Sequence, residues 1–379
     1  MAAGKHNGFL GFLAAIWRGI NFVRQALLNI IFFGLLLLLI GVAMKASHPS
    51  VELKSGTILV LHPEGRLVEQ YSINPTQRAI AALAGEPSRQ VQLRDLLSSI
   101  DAAAHDPHIK AILLDPGDLQ TGALTFAALR QVGHALDEFR KSGKKIIAWS
   151  AGYTQGQYYL AVHANRVLMD PQGSAMFTGL SSYQLYFKDL LDKLGVKVHL
   201  IRVGKFKSYA EPFILNGPSP AAQEENKSWM GDVWTQWLDS VAKARKLDPA
   251  KLSADIVQLP QQVAAANGDL AKMLLNEHLL DGLLTRSQLI AQLQKLGVAD
   301  QRGHGFRAIG FRSYLATVKR AQRLHSSQES EVAIIVAEGE IVSGPQKPGT
   351  IGGMETARLI RKAREDRRVK AIVLRVNSP

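Results

Sequence analysis

Cysteine is missing from all 379 residues. Disulfides, thiolate nucleophiles and zinc–thiolate sites are thereby excluded, while the compartment stays open, because a cysteine-free chain suits any redox environment. No G-x-S-x-G, H-E-x-x-H or G-x-x-x-x-G-K-[ST] occurs. The usual marks of a nucleophile elbow, a zinc protease and a phosphate-cradling loop are therefore absent. Serines are plentiful, but none stands in a recognisable nucleophile context. His105 and His108, close together in a polar turn, read as exposed residues rather than metal ligands. Asp115 and Asp118 follow a strand end, where carboxylates often cap turns, and receive no catalytic role. No cofactor and no metal is implied.

Charge is also missing from Ala26 to Met44, an apolar run bounded by Arg24 and Lys45. About 20 apolar residues span a bilayer core. A cleavable signal has a shorter apolar region, of roughly 7–15 residues, followed by small residues. Met44-Lys45-Ala46 is a poor cleavage site, so residues 25–45 read as an uncleaved transmembrane signal anchor. Lys5, Arg18 and Arg24 precede it, which keeps the amino end cytoplasmic and exports the body. In residues 1–24, Phe9, Leu10, Phe12, Leu13, Ile16, Trp17 and Ile20 recur at helical spacing. They read as an amphipathic segment on the inner membrane surface, or more simply as a helical extension of the anchor. The formal net charge is +13. A basic balance points to anionic partners, but an exported, tethered body meets no nucleic acid. Anionic membrane lipid, or plain solubility, accounts for the charge.

What is present otherwise is the composition of a folded protein, 46% hydrophobic and 20% charged. Apolar, β-branched runs predict strands at Gly56–Leu61, Ile109–Asp115 and Lys144–Trp149, with Glu64–Val68 continuing the first past a turn. Helical periodicity marks Val91–Ala104 and Phe126–Arg140, and Gly156–Asn165 reads as a further helix start. Strands alternating with helices of this length predict parallel βαβ units. From Ser219-Pro220 the chain turns helical, with Trp229, Trp234 and Trp237 forming a packing face rather than a ligand site.

An internal echo follows. Ala333–Val342 resembles Leu59–Val68, sharing a Glu-Gly pair, and Val369–Leu374 resembles Ile109–Leu114. Two matches in the same order predict a duplicated domain: residues 46–325 as a first repeat with a helical extension, and 326–379 as the start of a second. A parallel strand with no further neighbour cannot bury both faces. The chain is therefore expected to be a piece of a longer one.

The stretch that most resembles chemistry is Val203–Phe213, V-G-K-F-K-S-Y-A-E-P-F. Val196–Val203 ahead of it predicts a strand ending at Gly204, after which Lys205 and Lys207 would share one face. A lysine at a strand end, near a second cation and apolar groups, can lose its proton near neutral pH, as a lysine base must. The plainer reading is a solvated surface lysine.

Taken together, Gln155–Ala161, Pro171-Gln172-Gly173, Leu190–Leu194, Arg202-Val203-Gly204, Phe206-Lys207-Ser208, Glu211-Pro212-Phe213, Ser219–Ala222 and Leu374–Pro379 resemble the signal peptide peptidase A (protease IV) family in its long, duplicated form. The resemblance covers nearly everything from the anchor onward. It implies the α/β parallel-sheet spiral shared with ClpP and the crotonases, and a serine–lysine dyad. The K-S-x-x-E-P-F motif makes Lys207 the general base. The family's nucleophilic serine lies in a glycine-rich segment of the second repeat, expected beyond residue 379. In the first repeat its place is held by Gln155, which has no nucleophilic oxygen. The family's V-N-S-P-G-G turn implies a substrate and oxyanion role for Asn377, Ser378 and Pro379. The 379 residues alone are accordingly expected to be inactive. The resemblance further implies substrates that are hydrophobic remnants of signal peptides, a homo-oligomer (a tetramer), and a place in the bacterial inner membrane with the body periplasmic. If Lys207 is to act, the Glu211 carboxylate must face elsewhere, since a close carboxylate holds the ammonium charged. The rival readings are a non-catalytic membrane scaffold or assembly subunit, and a crotonase-like acyl-CoA enzyme, which should be cytosolic.

Overall fold

The computed structural model describes residues 7–46, 53–85, 89–122, 125–325 and 330–378. The chain divides into two units, Met1–Glu52 and Leu53–Pro379.

The first unit is one helix, α1 (Asn7–Ala46). Its stretch Ile16–Gly41 is long and apolar enough to cross a membrane, roughly 39 Å at the α-helical rise. No break separates the aromatic stretch from the apolar one.

The second unit begins with β1 (Thr57–Leu61), β2 (Gly65–Val68), α2 (Pro75–Leu83), β3 (Gln90–Gln92) and α3 (Leu93–His105). There follow β4 (Ile109–Leu114), β5 (Leu119–Gln120), α4 (Phe126–Lys141), β6 (Lys145–Ser150), α5 (Gln155–Ala161) and β7 (Arg166–Met169). A mostly helical stretch comes next: α6 (Lys188–Lys193), α7 (Pro220–Arg245), α8 (Pro249–Val257), α9 (Leu259–Ala265) and α10 (Leu270–Asn276). Then come β8 (Gly282–Leu283), α11 (Arg286–Leu296), β9 (Ala308–Gly310) and α12 (Phe311–His325).

The main strands form one parallel sheet in the order β8-β7-β6-β4-β1-β9, and the short ones a second sheet, β3-β2-β5. Each turn of chain gives one strand to the large sheet, a short extended piece to the small sheet or beside it, and then a helix. Repeating that unit along the series β1, β4, β6, β7 generates a parallel-sheet spiral. The long strands are apolar throughout because both faces are covered. On one side lie α3 and α4, with Leu96, Ile100, Leu129, Leu136 and Phe139 buried, joined by Tyr158 and Trp237. On the other, Leu289 and Leu293 of α11 close over Ile58, Leu113, Ile147 and Trp149.

The echo in the sequence has a geometric counterpart. The last elements are β10 (Glu331–Glu338), β11 (Ile341–Val342), β12 (Ile351–Gly352), α13 (Gly353–Glu365) and β13 (Val369–Asn377). β1 pairs with β4 through Thr57↔Ile109, then slips one residue to Ile58↔Ala111. β10 pairs with β13 through Glu331↔Val369 and slips at the same place to Val332↔Ala371. The helix ends match too: Asp106 and Asp366 share extended backbone, with ψ of 115° and 114°. Each carboxylate accepts from the amide two residues on, His108 or Arg368. Gln70 N–H donates to Glu338 at 3.2 Å, and Arg375 pairs with Glu69, tying these elements to the first set.

One expected strand does not form. Val196–Val203 runs without any sheet partner, with Ile201 96% and Val203 83% exposed. β-branched residues favour a strand only where a neighbour supplies packing and a ladder, and no described strand lies beside them.

Candidate active site

The K-S-x-x-E-P-F motif folds back on the start of α7. Pro218 leads into Ser219, the amino-terminal cap of that helix, whose hydroxyl accepts from Ala222 N–H at 3.2 Å. The same hydroxyl donates to Glu211 Oε1 at 2.7 Å, and the Ser219 amide donates to Oε2 at 3.0 Å. Arg202 Nη1 donates to Glu211 Oε1 at 3.3 Å and to the Lys207 carbonyl at 3.0 Å. Burial by itself pushes the Glu211 carboxyl up; the two Ser219 bonds and the Arg202 guanidinium outweigh it and leave it below the usual range. Glu211-Pro212-Phe213 forms a short 3-10 turn. The Phe187 amide donates to the Pro212 carbonyl at 2.7 Å, and the Phe187 and Phe213 rings stack. Glu211 thus fixes the loop, and its carboxylate faces Arg202 and Ser219, as a working Lys207 requires.

The two lysines differ. Lys205 Nζ pairs with Glu224 at 3.0 Å and lies over the Phe206 ring. Among the described residues Lys207 Nζ has no hydrogen-bond or ion-pair partner, and its stem lies across Gly204, whose φ of +114° turns the chain there. Lys207 is exposed. No strand places the pair on one face, because the strand ahead of them is not formed.

Gln155 sits at the first position of α5, after Thr154, which caps that helix in a reciprocal box with Gln157. Its side-chain oxygen accepts from the Thr178 and Gly179 amides at 3.2 and 3.1 Å, and its Nε2 donates to the Gly179 carbonyl. A cavity of about 440 Å³ opens beside it, walled by Phe126, Leu129, Met176, Leu180, Trp234 and Trp237. Trp237 is buried, donates to the Gln155 carbonyl at 3.0 Å and stacks on Trp234 at 4.9 Å. Trp234 and Trp237 thus form a packing face that also walls this cavity, while Trp229 bonds Asn226 and lines neither.

Asn377 ends β13, exposed, its carbonyl accepting from Gly339 N–H at 2.9 Å, and Ser378 follows, half-buried. No hydrogen bond joins either to Lys207 among the described residues. Pro379 lies outside the described residues. His105 is exposed and His108 bonds Asp106. Among the described residues no three His, Asp or Glu side chains assemble as a metal site.

Sequence reading missed one cluster. His62 Nδ1 lies 3.2 Å from Asp115, and its Nε2 lies 3.0 Å from Asp118 and 3.6 Å from Glu64. The available clue was positional: His62 follows β1 and Asp115 follows β4, and adjacent parallel strands bring such residues side by side.

Fold and loop together define a class, a parallel α/β spiral that presents a lysine, unpaired among the described residues, on a loop locked by a buried glutamate. A model of peptidase family S49 matches residues 138–296, which include that loop. The chain is 37% identical over 374 residues to "Protease 4" of Salmonella typhi, covering 97% of this chain and 59% of that protein. It is 33% identical over 368 residues to "Protease 4" of Haemophilus influenzae, covering 96% and 59%. A solved mutant of the 1510-N membrane-bound stomatin-specific protease is 12% identical, covering 68% of this chain and 95% of that one, with a TM-score of 0.33. Residues 138–296 carry the peptidase family S49 match, and nearly the whole chain is similar to these two proteases. It spans about three-fifths of the length of the curated relatives named here.

Proposed function

We propose that the chain is part of a membrane-anchored serine endopeptidase that works through a serine–lysine dyad, with Lys207 as the general base. The observation that carries this is the Lys207 amine, unpaired among the described residues, in a motif whose buried carboxylate, Glu211, is committed to Arg202 and Ser219. In the reaction, neutral Lys207 Nζ takes the proton of a serine hydroxyl as that oxygen attacks a peptide carbonyl. Backbone N–H groups hold the oxyanion, and the ammonium returns the proton to the leaving amine. The serine is not at Gln155, whose carboxamide is tied to the Thr178 and Gly179 amides. It is expected beyond residue 379, in a second repeat that begins near residue 326, with Asn377, Ser378 and Pro379 in the substrate and oxyanion region.

A lysine is neutral at physiological pH only when desolvated, and Lys207 is exposed in this chain. Cover must come from outside these residues. Tyr183, Leu185, Ile201, Val203 and Tyr209 are each at least 75% exposed, an apolar surface of the kind that mating surfaces use. This supports assembly with further copies that closes over the lysine; the tetramer is what the family resemblance implies. Hydrophobic signal-peptide remnants as substrate agree with a helix long and apolar enough to cross the membrane beside them.

The test is Lys207→Ala in the full-length protein, assayed on an apolar peptide alongside circular dichroism. Losing the base should lower kcat/KM by about 10²–10⁴ with the fold unchanged. Near-normal turnover would sink the assignment. A non-catalytic scaffold predicts instead that the unsubstituted full-length protein is never labelled by a serine-directed phosphonate.

A further inference from the structure

We infer that the carboxyl-terminal edge of the large sheet holds a separate binding site for a small zwitterion, a free α-amino acid or a short peptide with both ends uncapped. β1, β4 and β6 are neighbours and run parallel. His62 follows the first, Asp115 follows the second and Ser150 ends the third. Ligands of parallel sheets bind outside these strand ends. A cavity of about 660 Å³ lies there, with His62, Asp115, Asp118, Trp149, Ser150 and Arg286 on its wall, well within the size range of small-molecule pockets. It shares no wall residue with the cavity beside Gln155.

One end of this cavity is negative. Glu64, Asp115 and Asp118 surround a single imidazole. A neutral imidazole has one N–H and satisfies one side only; even a protonated one leaves the carboxylates in excess. An ammonium group fits that end. Arg286 supplies the opposite charge. It stands at the first position of α11, beside Trp149 with its guanidinium 5.9 Å from the ring centroid; its charge reaches Asp115, but it makes no direct salt bridge among the described residues. A carboxylate would engage its planar fork. Ser150 adds an independent sign of a ligand. Its side chain is almost wholly buried, yet its hydroxyl has no hydrogen-bond partner among the described residues. A Cβ at Gly117 would lie 2.9 Å from that hydroxyl and 3.3 Å from Asp115 Oδ1. Glycine keeps the approach to both groups open. Val60, Leu289 and Phe306 offer apolar wall for a side chain. The strand registers put Val336 and Arg375 where the first set has His62 and Asp115, so the site belongs to the first set alone.

The test is isothermal titration of the full chain in detergent micelles, and it needs no peptidase activity. Leucyl-leucine should bind saturably at one site. Acetylating its amine, or amidating its carboxylate, should each weaken binding about ten-fold or more. Arg286→Met should weaken leucyl-leucine by a similar factor and leave leucyl-leucinamide unaffected; Asp118→Asn should weaken leucyl-leucinamide and spare the acetylated dipeptide. Both side chains are exposed, so the variants should melt as the parent does. Absence of saturable binding at millimolar dipeptide, or capped dipeptides binding as well as the free one, overturns the proposal.

Discussion

Glu211 keeps a negative charge with only 2% of its side chain exposed, because Ser219 and Arg202 satisfy both of its oxygens. The folded protein therefore holds this carboxyl below its usual value of 4.5. Its contribution to stability is complete at neutral pH and is lost as the pH falls through the lowered folded value. Glu211→Gln should melt earlier than the parent at pH 7, by about 1–3 kcal/mol of lost stability. It should also lose less on acidification below pH 4.5, which melting curves from pH 7 to pH 3 will read. An acid limb as steep as the parent's would show that other groups control it. At this scale the motif singled out Lys207 for the proposed role, and the folded loop sets Lys205 apart from it, since Lys205 is paired with Glu224. The arrangement around His62 went unread: Glu64 is two residues away in the chain, but Asp115 and Asp118 meet the ring only through the pairing of β1 with β4.

The repeated strand–turn–strand units depend on one backbone feature each. Gly65 has φ +78°, and a Cβ there would lie 2.1 Å from the Arg89 carbonyl oxygen. Gly339 has φ +106° and meets the Gly349 carbonyl at the same distance. Only glycine accepts both the positive φ and the close approach. Gly65→Ala should therefore cost more than about 2 kcal/mol and lower the melting temperature by several degrees. Gly310→Ala in β9, with open space around it, should stay within about 0.5 kcal/mol of the parent. Equal melting temperatures for the two variants would contradict this account of the turn. Helices α3 and α4 were legible because their apolar positions follow one period, and strands β1, β4 and β6 because each is a short, nearly continuous apolar run. Val196–Val203 had the same composition as a strand and formed none, because composition does not supply a neighbour.

On the scale of the whole molecule, Lys5, Arg18 and Arg24 ahead of the uncharged run Ala26–Met44 argue for an amino end that stays in the cytoplasm. Alkaline phosphatase, active only after export, should be active when fused after residue 60 and inactive when fused after residue 24. The reverse pattern would overturn the proposed topology. The same result bears on the acyl-CoA reading, which requires a cytosolic body. The duplication also belongs to this scale. A short sequence echo became a shared register slip at Thr57 and Glu331 and matched helix ends at Asp106 and Asp366.

The order of strands and helices, the apolar run near the amino terminus and the identity of the lysine motif were determined by sequence alone. Each depends on residues near one another in the chain, where period, length and spacing act directly. Tertiary structure decided which carboxylate faces which cation. It turned Glu211 toward Arg202, left Lys207 unpaired, and set Asp115 and Asp118 around His62. Those outcomes depend on which distant strand ends and helix starts pack together, and charge interactions reach only a few ångströms before solvent weakens them.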